Sequence, residues 1–181
     1  MKLKPQHAQF LANRIVLDLS SSNLVRITSP LPNLNKLVTE IIKKDIQEEA
    51  SIEHKTRELL EQYQDEIDDS DMNEKQLFAM VKKQVAKERG FPISHNERYS
   101  ELSHILLDEL FEEMYIEFNV AENVVKNSIL DTIEQYLKFH EEAYSNTTEK
   151  MKNYKRKLIP GSDEYELIFM RLYEEELSKR G

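Results

Sequence analysis

Apolar residues recur at three- and four-residue spacings along most of the chain, the period of amphipathic helices. Leu11, Ile15 and Leu19 share a face downstream of Pro5, a residue suited to a first helical turn. The polar break Ser20 to Asn23 follows, then the short β-rich piece Leu24 to Thr28. Ser29 reads as an N-cap with Pro30 at the first helical position. Leu34, Val38, Ile41, Ile42 and Ile46 form the next stripe, and Leu59, Leu60, Tyr63 and Ile67 a further one. These are either one long helix or two separated near Ala50–Ser51. Asp71 to Glu74 has capping-box spacing ahead of Leu77, Phe78, Val81 and Val85, and Gly90 ends that helix.

The same plan then returns. Ser94 to Glu97 is a second capping box, opening a helix with Leu102, Ile105, Leu106 and Leu110 on its inward stripe. Tyr115 to Phe118 is a second β-rich piece, and Asn119 to Glu122 resembles a cap. Val125, Ile129, Ile133 and Leu137 lead on to Tyr144, Met151, Tyr154 and Leu158. Pro160–Gly161 is a turn, and Ser162 caps a last helix that buries Ile168, Phe169, Leu172 and Leu177, with Asp163 and Glu164 at its positive end. Breaks, caps and stripes fall in the same order at a shift of 91 residues, although only 8 of 72 pairs are identical between 19–90 and 110–181. Identity that low carries little weight, so the reading rests on register. It predicts two repeats, residues 1–91 and 92–181, packed as one unit.

The expected fold is therefore all-α, in two similar helical halves. Leu24 to Thr28 and Tyr115 to Asn119 are equivalent under the shift, and each is too short to satisfy its backbone alone. They are expected to pair as an antiparallel ribbon with Arg26 opposite Glu117. The alternative is that both are loops or continue a helix.

Composition narrows the classes. The chain has 181 residues, a net charge of −9, three Gly, five Pro and no Cys. Few turn residues argue against an all-β fold. The missing Cys excludes a disulfide framework, a thiolate metal site and a Cys nucleophile. The acidic balance is not that of a basic nucleic-acid binder. No signal-peptide pattern and no bilayer-length apolar run is present, so a cytoplasmic, non-membrane protein is expected.

The stretch Lys157 to Gly181 resembles the end of a bacterial family known as domain of unknown function 507, here in a tandem-duplicated form. Ile159, Pro160, Gly161, Ser162, Tyr165, Tyr173, Glu174, Glu175, Arg180 and Gly181 carry the likeness, and the opening Met-Lys-Leu fits it. In the first half the Ile-Pro-Gly turn is replaced by Ile67, Asp68, Asp69 and Ser70, as in a diverged copy. The resemblance implies a small helical cytosolic bacterial protein and brings no activity with it.

Chemistry-bearing groups are sparse. Glu101, His104, Asp108 and Glu112 share a helix face and could hold a metal. A ferritin-like site needs two Glu-x-x-His motifs, however, and Glu101 to His104 is the single one, so a solvated face is the better reading. His54 with Glu58, and His140 with Glu141 and Glu142, read as surface pairs. No nucleophile elbow or phosphate loop occurs, and no catalytic residue, metal or cofactor is assigned. Lys150, Lys152, Lys155, Arg156 and Lys157 crowd eight positions. They could meet nucleic-acid phosphates, but neutralisation by the chain's own acids, such as Glu174, Glu175 and Glu176, is favoured. Tyr63, Tyr154 and Tyr173 fall on apolar stripes as core residues with hydroxyls at the rim.

The expected function is a non-enzymatic module that binds another protein. An RNA- or ribosome-associated factor using Lys150 to Lys157 is the alternative, and a metal-dependent enzyme around Glu101, His104 and Asp108 the third. A homo-oligomer remains open.

Overall fold

The computed structural model describes residues 2–63 and 73–179. Ile67, Asp71, Arg180 and Gly181, used in the sequence reading, lie outside them. The described residues form six α-helices and one small ribbon: α1 (Ala8–Ser21), β1 (Arg26–Ile27), α2 (Leu31–Gln62), α3 (Glu74–Glu88), α4 (His95–Glu112), β2 (Ile116–Glu117), α5 (Glu122–Lys152) and α6 (Asp163–Ser178). A 3-10 turn, Pro5–His7, precedes α1.

α2 is one uninterrupted helix. Ala50 and Ser51 do not break it because neither is Gly or Pro, and the buried stripe continues beneath them through Glu49, Ile52 and Thr56. It starts one residue later than expected. Pro30 has an extended ψ of 135° and is the N-cap, while the Ser29 hydroxyl accepts from the Asn33 side chain. α3 is capped by Asn73, whose side chain accepts from the Lys75 amide. Ser94 caps α4 by position, but its hydroxyl donates to Glu97 instead of accepting from the backbone. Ser162 caps α6 as expected, accepting from the Tyr165 amide.

The ribbon forms as the sequence predicts. β1 and β2 are antiparallel, Arg26 opposite Glu117 and Ile27 opposite Ile116, and the Arg26 and Glu117 side chains are ion-paired. The Thr28 amide and hydroxyl add bonds to the carbonyls of Tyr115 and Met114. Ile116 is buried; Leu24, Val25, Ile27, Tyr115 and Phe118 are half-buried.

The order helix, short strand, long helix, shorter helix occurs twice, and the register agrees residue by residue. The six buried positions of α1 are Ala8, Leu11, Ala12, Ile15, Val16 and Leu19. Advanced by 91 they become Tyr99, Leu102, Ser103, Leu106, Leu107 and Leu110, all buried in α4. Asn23 and Met114, also 91 apart, follow these helices in the left-handed conformation, with φ of 56° and 57°. The Thr56 and Thr147 hydroxyls each donate to the carbonyl four residues back at 2.8 Å.

The backbone divides into two compact units, Leu3–Ile133 and a smaller one of Glu134–Gly181 with Met1–Lys2. In the larger unit Leu11, Ile15, Leu19, Leu34, Val38, Ile42, Leu106 and Leu110 form the core. Ile52, Val85 and Ala86 make a satellite core under Leu59, Val81 and Phe91. In the smaller unit Met151, Ile168 and Leu172 pack with Tyr154, Leu158, Tyr165 and Phe169. Tyr63 and Tyr144, expected on core stripes, are 54% exposed. No helix among the described residues is long and apolar enough to cross a membrane.

Candidate functional site

The most developed polar site lies in the larger unit and was not visible in the sequence. Asp45, Glu49 and Glu53 repeat every four residues on α2, interleaved with Ile42, Ile46 and Ile52. The helical period therefore turns three carboxylates toward the core. Arg98, in the first turn of α4, answers two of them. Its Nε and Nη2 donate to Asp45 at 3.1 and 2.6 Å, and its Nη1 donates to Glu49 at 2.6 Å. Lys82 of α3 donates to Glu49 at 3.1 Å and to Glu53 at 2.8 Å. Arg89, at the end of α3, reaches Glu48 and Ser51. The guanidinium of Arg98 also lies over the rings of Phe91 and Tyr99, 5.2 and 5.5 Å from their centroids.

Phe91 is placed there by the end of α3. Gly90 adopts φ +67°, the Gly90 amide donates to the Lys87 carbonyl and the Phe91 amide to the Ala86 carbonyl. Those two bonds are a Schellman ending, which requires a residue tolerant of positive φ.

The ions perturb one another. Burial pushes the Asp45 carboxyl above its ordinary value, and Arg98 recovers part of that cost. Burial acts on Glu49 as well, but Arg98 and Lys82 together outweigh it and hold its carboxyl below the usual range. Arg98 stays protonated despite its burial, because Asp45 and Glu49 favour the charged form.

Alongside this network a groove of about 650 Å³ opens between α2, α4 and the α3–α4 connection. Its apolar lining is Leu37, Ile41, Phe91, Leu102 and Ile105, and Asp45 joins it to the ion network. Glu40, Glu48 and Glu109 outnumber Lys44 on its rim. Ile105, expected to point inward, is 41% exposed and forms part of this wall. The stripe on α4 is wider than the surface its neighbours cover.

The equivalent positions 91 residues away are built differently. Ile105 corresponds to Arg14, Glu109 to Asp18 and Ile41 to Thr132. There Arg14 pairs with Asp18 at 3.2 Å, and the Thr132 hydroxyl donates to Asp18 at 2.9 Å. One set of side chains closes on itself through polar contacts; the other leaves an apolar floor open.

The smaller unit holds a corresponding cluster of another chemistry. Glu49 and Lys82 become His140 and Tyr173 at the same shift. His140 Nδ1 lies 2.7 Å from the Tyr173 hydroxyl, and its ring packs against Tyr136 and Phe139. His140 is thus a buried residue, where the sequence reading placed it at the surface. A His followed by two Glu reads as surface because the residue that covers it, Tyr173, comes from another helix.

Lys150 meets Glu176 at 2.5 Å, Lys152 meets Glu149 at 3.4 Å and Arg156 pairs with Glu164. Lys155 and Lys157 make no ion pair with any described residue. Glu176 also receives Lys179 and Asn146, and hydrogen bonds from Lys150 and then Lys179 hold its carboxyl down at about 2. Glu175 pairs with Arg171 and not with the cluster. Glu101, Asp108 and Glu112 are exposed, and His104 Nδ1 lies 3.9 Å from a Glu122 carboxylate oxygen. Among the described residues no three His, Asp or Glu side chains converge as a metal site would require. His54 and Glu58 form an exposed pair at 3.3 Å.

No curated protein matches the chain. The family model described as "Protein of unknown function (DUF507)" covers residues 1–181. With the repeated plan and the ending at Lys157 to Gly181, the match places this chain, over its whole length, in the family of proteins of unknown function DUF507.

Proposed function

We propose that the protein is a duplicated helical scaffold that binds another protein, with the α2/α4 groove as the binding face and no catalysis of its own. The observation that carries this is the open apolar floor of Leu37, Ile41 and Ile105 beside a wall fixed by Arg98. A buried, fully bonded ion network holds its surrounding helices in one geometry, which is what a preorganised binding face needs. The repeated buried register supports tandem duplication of residues 1–91 and 92–181, and divergence at Ile105 and Ile41 supports specialisation of one copy. On this reading the protein works in the cytoplasm.

The alternative, RNA or ribosome binding through Lys150, Lys152, Lys155, Arg156 and Lys157, has the support of Lys155 and Lys157 alone. The other three charges are engaged by Glu176, Glu149 and Glu164. Affinity capture from the native cell, with and without nuclease and across a salt series, separates the two. Binding through the groove survives nuclease and is lost in Ile105→Asp. Binding through phosphates falls steeply with salt and is lost when the five basic residues are replaced.

A further inference from the structure

We infer that the occupant of the α2/α4 groove is a basic amphipathic α-helix of a partner protein, an inference that rests on the binding-face reading above. The lining on α2 runs from Leu37 to Ser51, a rise of about 21 Å at roughly 1.5 Å per residue, which matches a helix of about fourteen residues. Two walls of the groove are themselves helices, so a third helix completes a packed layer and covers Ile41 and Ile105. Charge then sets the chemistry. Glu40 and Glu109 stand on the rim and make no ion pair with any described residue. The chain as a whole carries −9. A helix with apolar residues at i, i+3 or i+4 and i+7, flanked by Lys or Arg, fills the floor and neutralises the rim. An acidic helix meets repulsion at Glu40 and Glu109.

The contrast with the equivalent surface supports the assignment. At Arg14, Asp18 and Thr132 the polar groups satisfy one another and present no apolar floor. At Ile105, Glu109 and Ile41 that self-satisfaction is gone, and an acceptor rim with an apolar floor takes its place.

The test uses the full chain with labelled Ile methyl groups and three synthetic 18-residue peptides. One is an amphipathic Leu/Lys helix, one has the same composition scrambled so that no apolar face forms, and one is the amphipathic Leu/Glu helix. The expected result is saturable one-to-one binding of the Leu/Lys helix that moves the Ile41 and Ile105 methyl signals. Ile105→Asp should weaken it about ten-fold or more, and the rim variant Glu109→Lys several-fold, as loss of an anchor and of a rim charge predicts. Glu109 is exposed, so its variant tests the charge without touching the core. Equal binding of the scrambled peptide, signal changes confined to residues outside the groove, or variants that bind like wild type overturn the inference. Movement of the Ile105 signal with protein concentration alone also overturns it, by showing a second copy in the groove. Entry of the Leu/Glu helix overturns the charge assignment while leaving the binding-face reading intact. Failure of every peptide overturns the inference, and the capture experiment then judges the binding-face reading separately.

Discussion

Replacing Arg98 with Met tests whether the ion network holds α2 and α4 together. Asp45 and Glu49 are only 11% and 9% exposed, and removing the guanidinium strands them unequally. Glu49 keeps Lys82 at 3.1 Å, whereas Asp45 makes no other ion pair or hydrogen bond among the described residues. Deleting one partner of a buried pair costs about 3–5 kcal/mol, because a charge remains without compensation. Loss of the cation over Phe91 and Tyr99 adds about 0.5–1 kcal/mol per ring, partly offset by the Met side chain packing there. Against a typical total of about 5–15 kcal/mol this is a large fraction. At about 2–4 °C per kcal/mol the expected fall in Tm is roughly 6–20 °C. Urea denaturation at several pH values is the assay. In the variant Asp45, already raised by burial, loses the Arg98 contacts that lower it, so the penalty is fully present at neutral pH and shrinks as acid protonates it. Adding Asp45→Asn to Arg98→Met should recover much of the loss. A variant within about 1 kcal/mol of wild type at pH 7, or a penalty that grows as pH falls, refutes the reasoning.

Met114 sits at φ 57° with its side chain 78% exposed, so Met114→Gly should raise stability by about 0.5–1 kcal/mol, read by the urea midpoint. Glu176 is held at about 2, below its unfolded value; its contribution is complete above the unfolded pKa and is lost as pH falls through about 2, and carboxyl NMR should find that midpoint. Lys150→Met should raise that midpoint, since its hydrogen bond is the largest cause of the depression. A double-mutant cycle on Arg26 and Glu117 should give a small favourable coupling that declines with salt, because the pair is exposed.

The apolar stripes were legible because period and burial coincide: Leu11, Ile15 and Leu19 are all buried, as are Val125, Ile129 and Ile133. The ribbon was legible because two short β-rich pieces had no other equivalent partner. Arg98 was not. An Arg in a first turn reads as solvated, and its partners are 49 and 53 residues away. A local signal did exist, in the carboxylates Asp45 and Glu49 set between Ile42, Ile46 and Ile52 on one stripe. The groove has no sequence signature, since it is space left between helices. Ile105 satisfied the helical period whether or not anything covered it. The basic cluster was legible as charge, but its division between three paired and two unpaired heads depends on where Glu149, Glu164 and Glu176 fall in space.

The most direct test of the binding-face account is methyl NMR of the full chain added to a nuclease-treated extract of its own cells. The account predicts that the Ile41 and Ile105 signals shift or broaden selectively, and that Ile105→Asp abolishes the change at Ile41. Unchanged Ile41 and Ile105 signals, with the response confined to Ile159 beside the basic cluster, would contradict it.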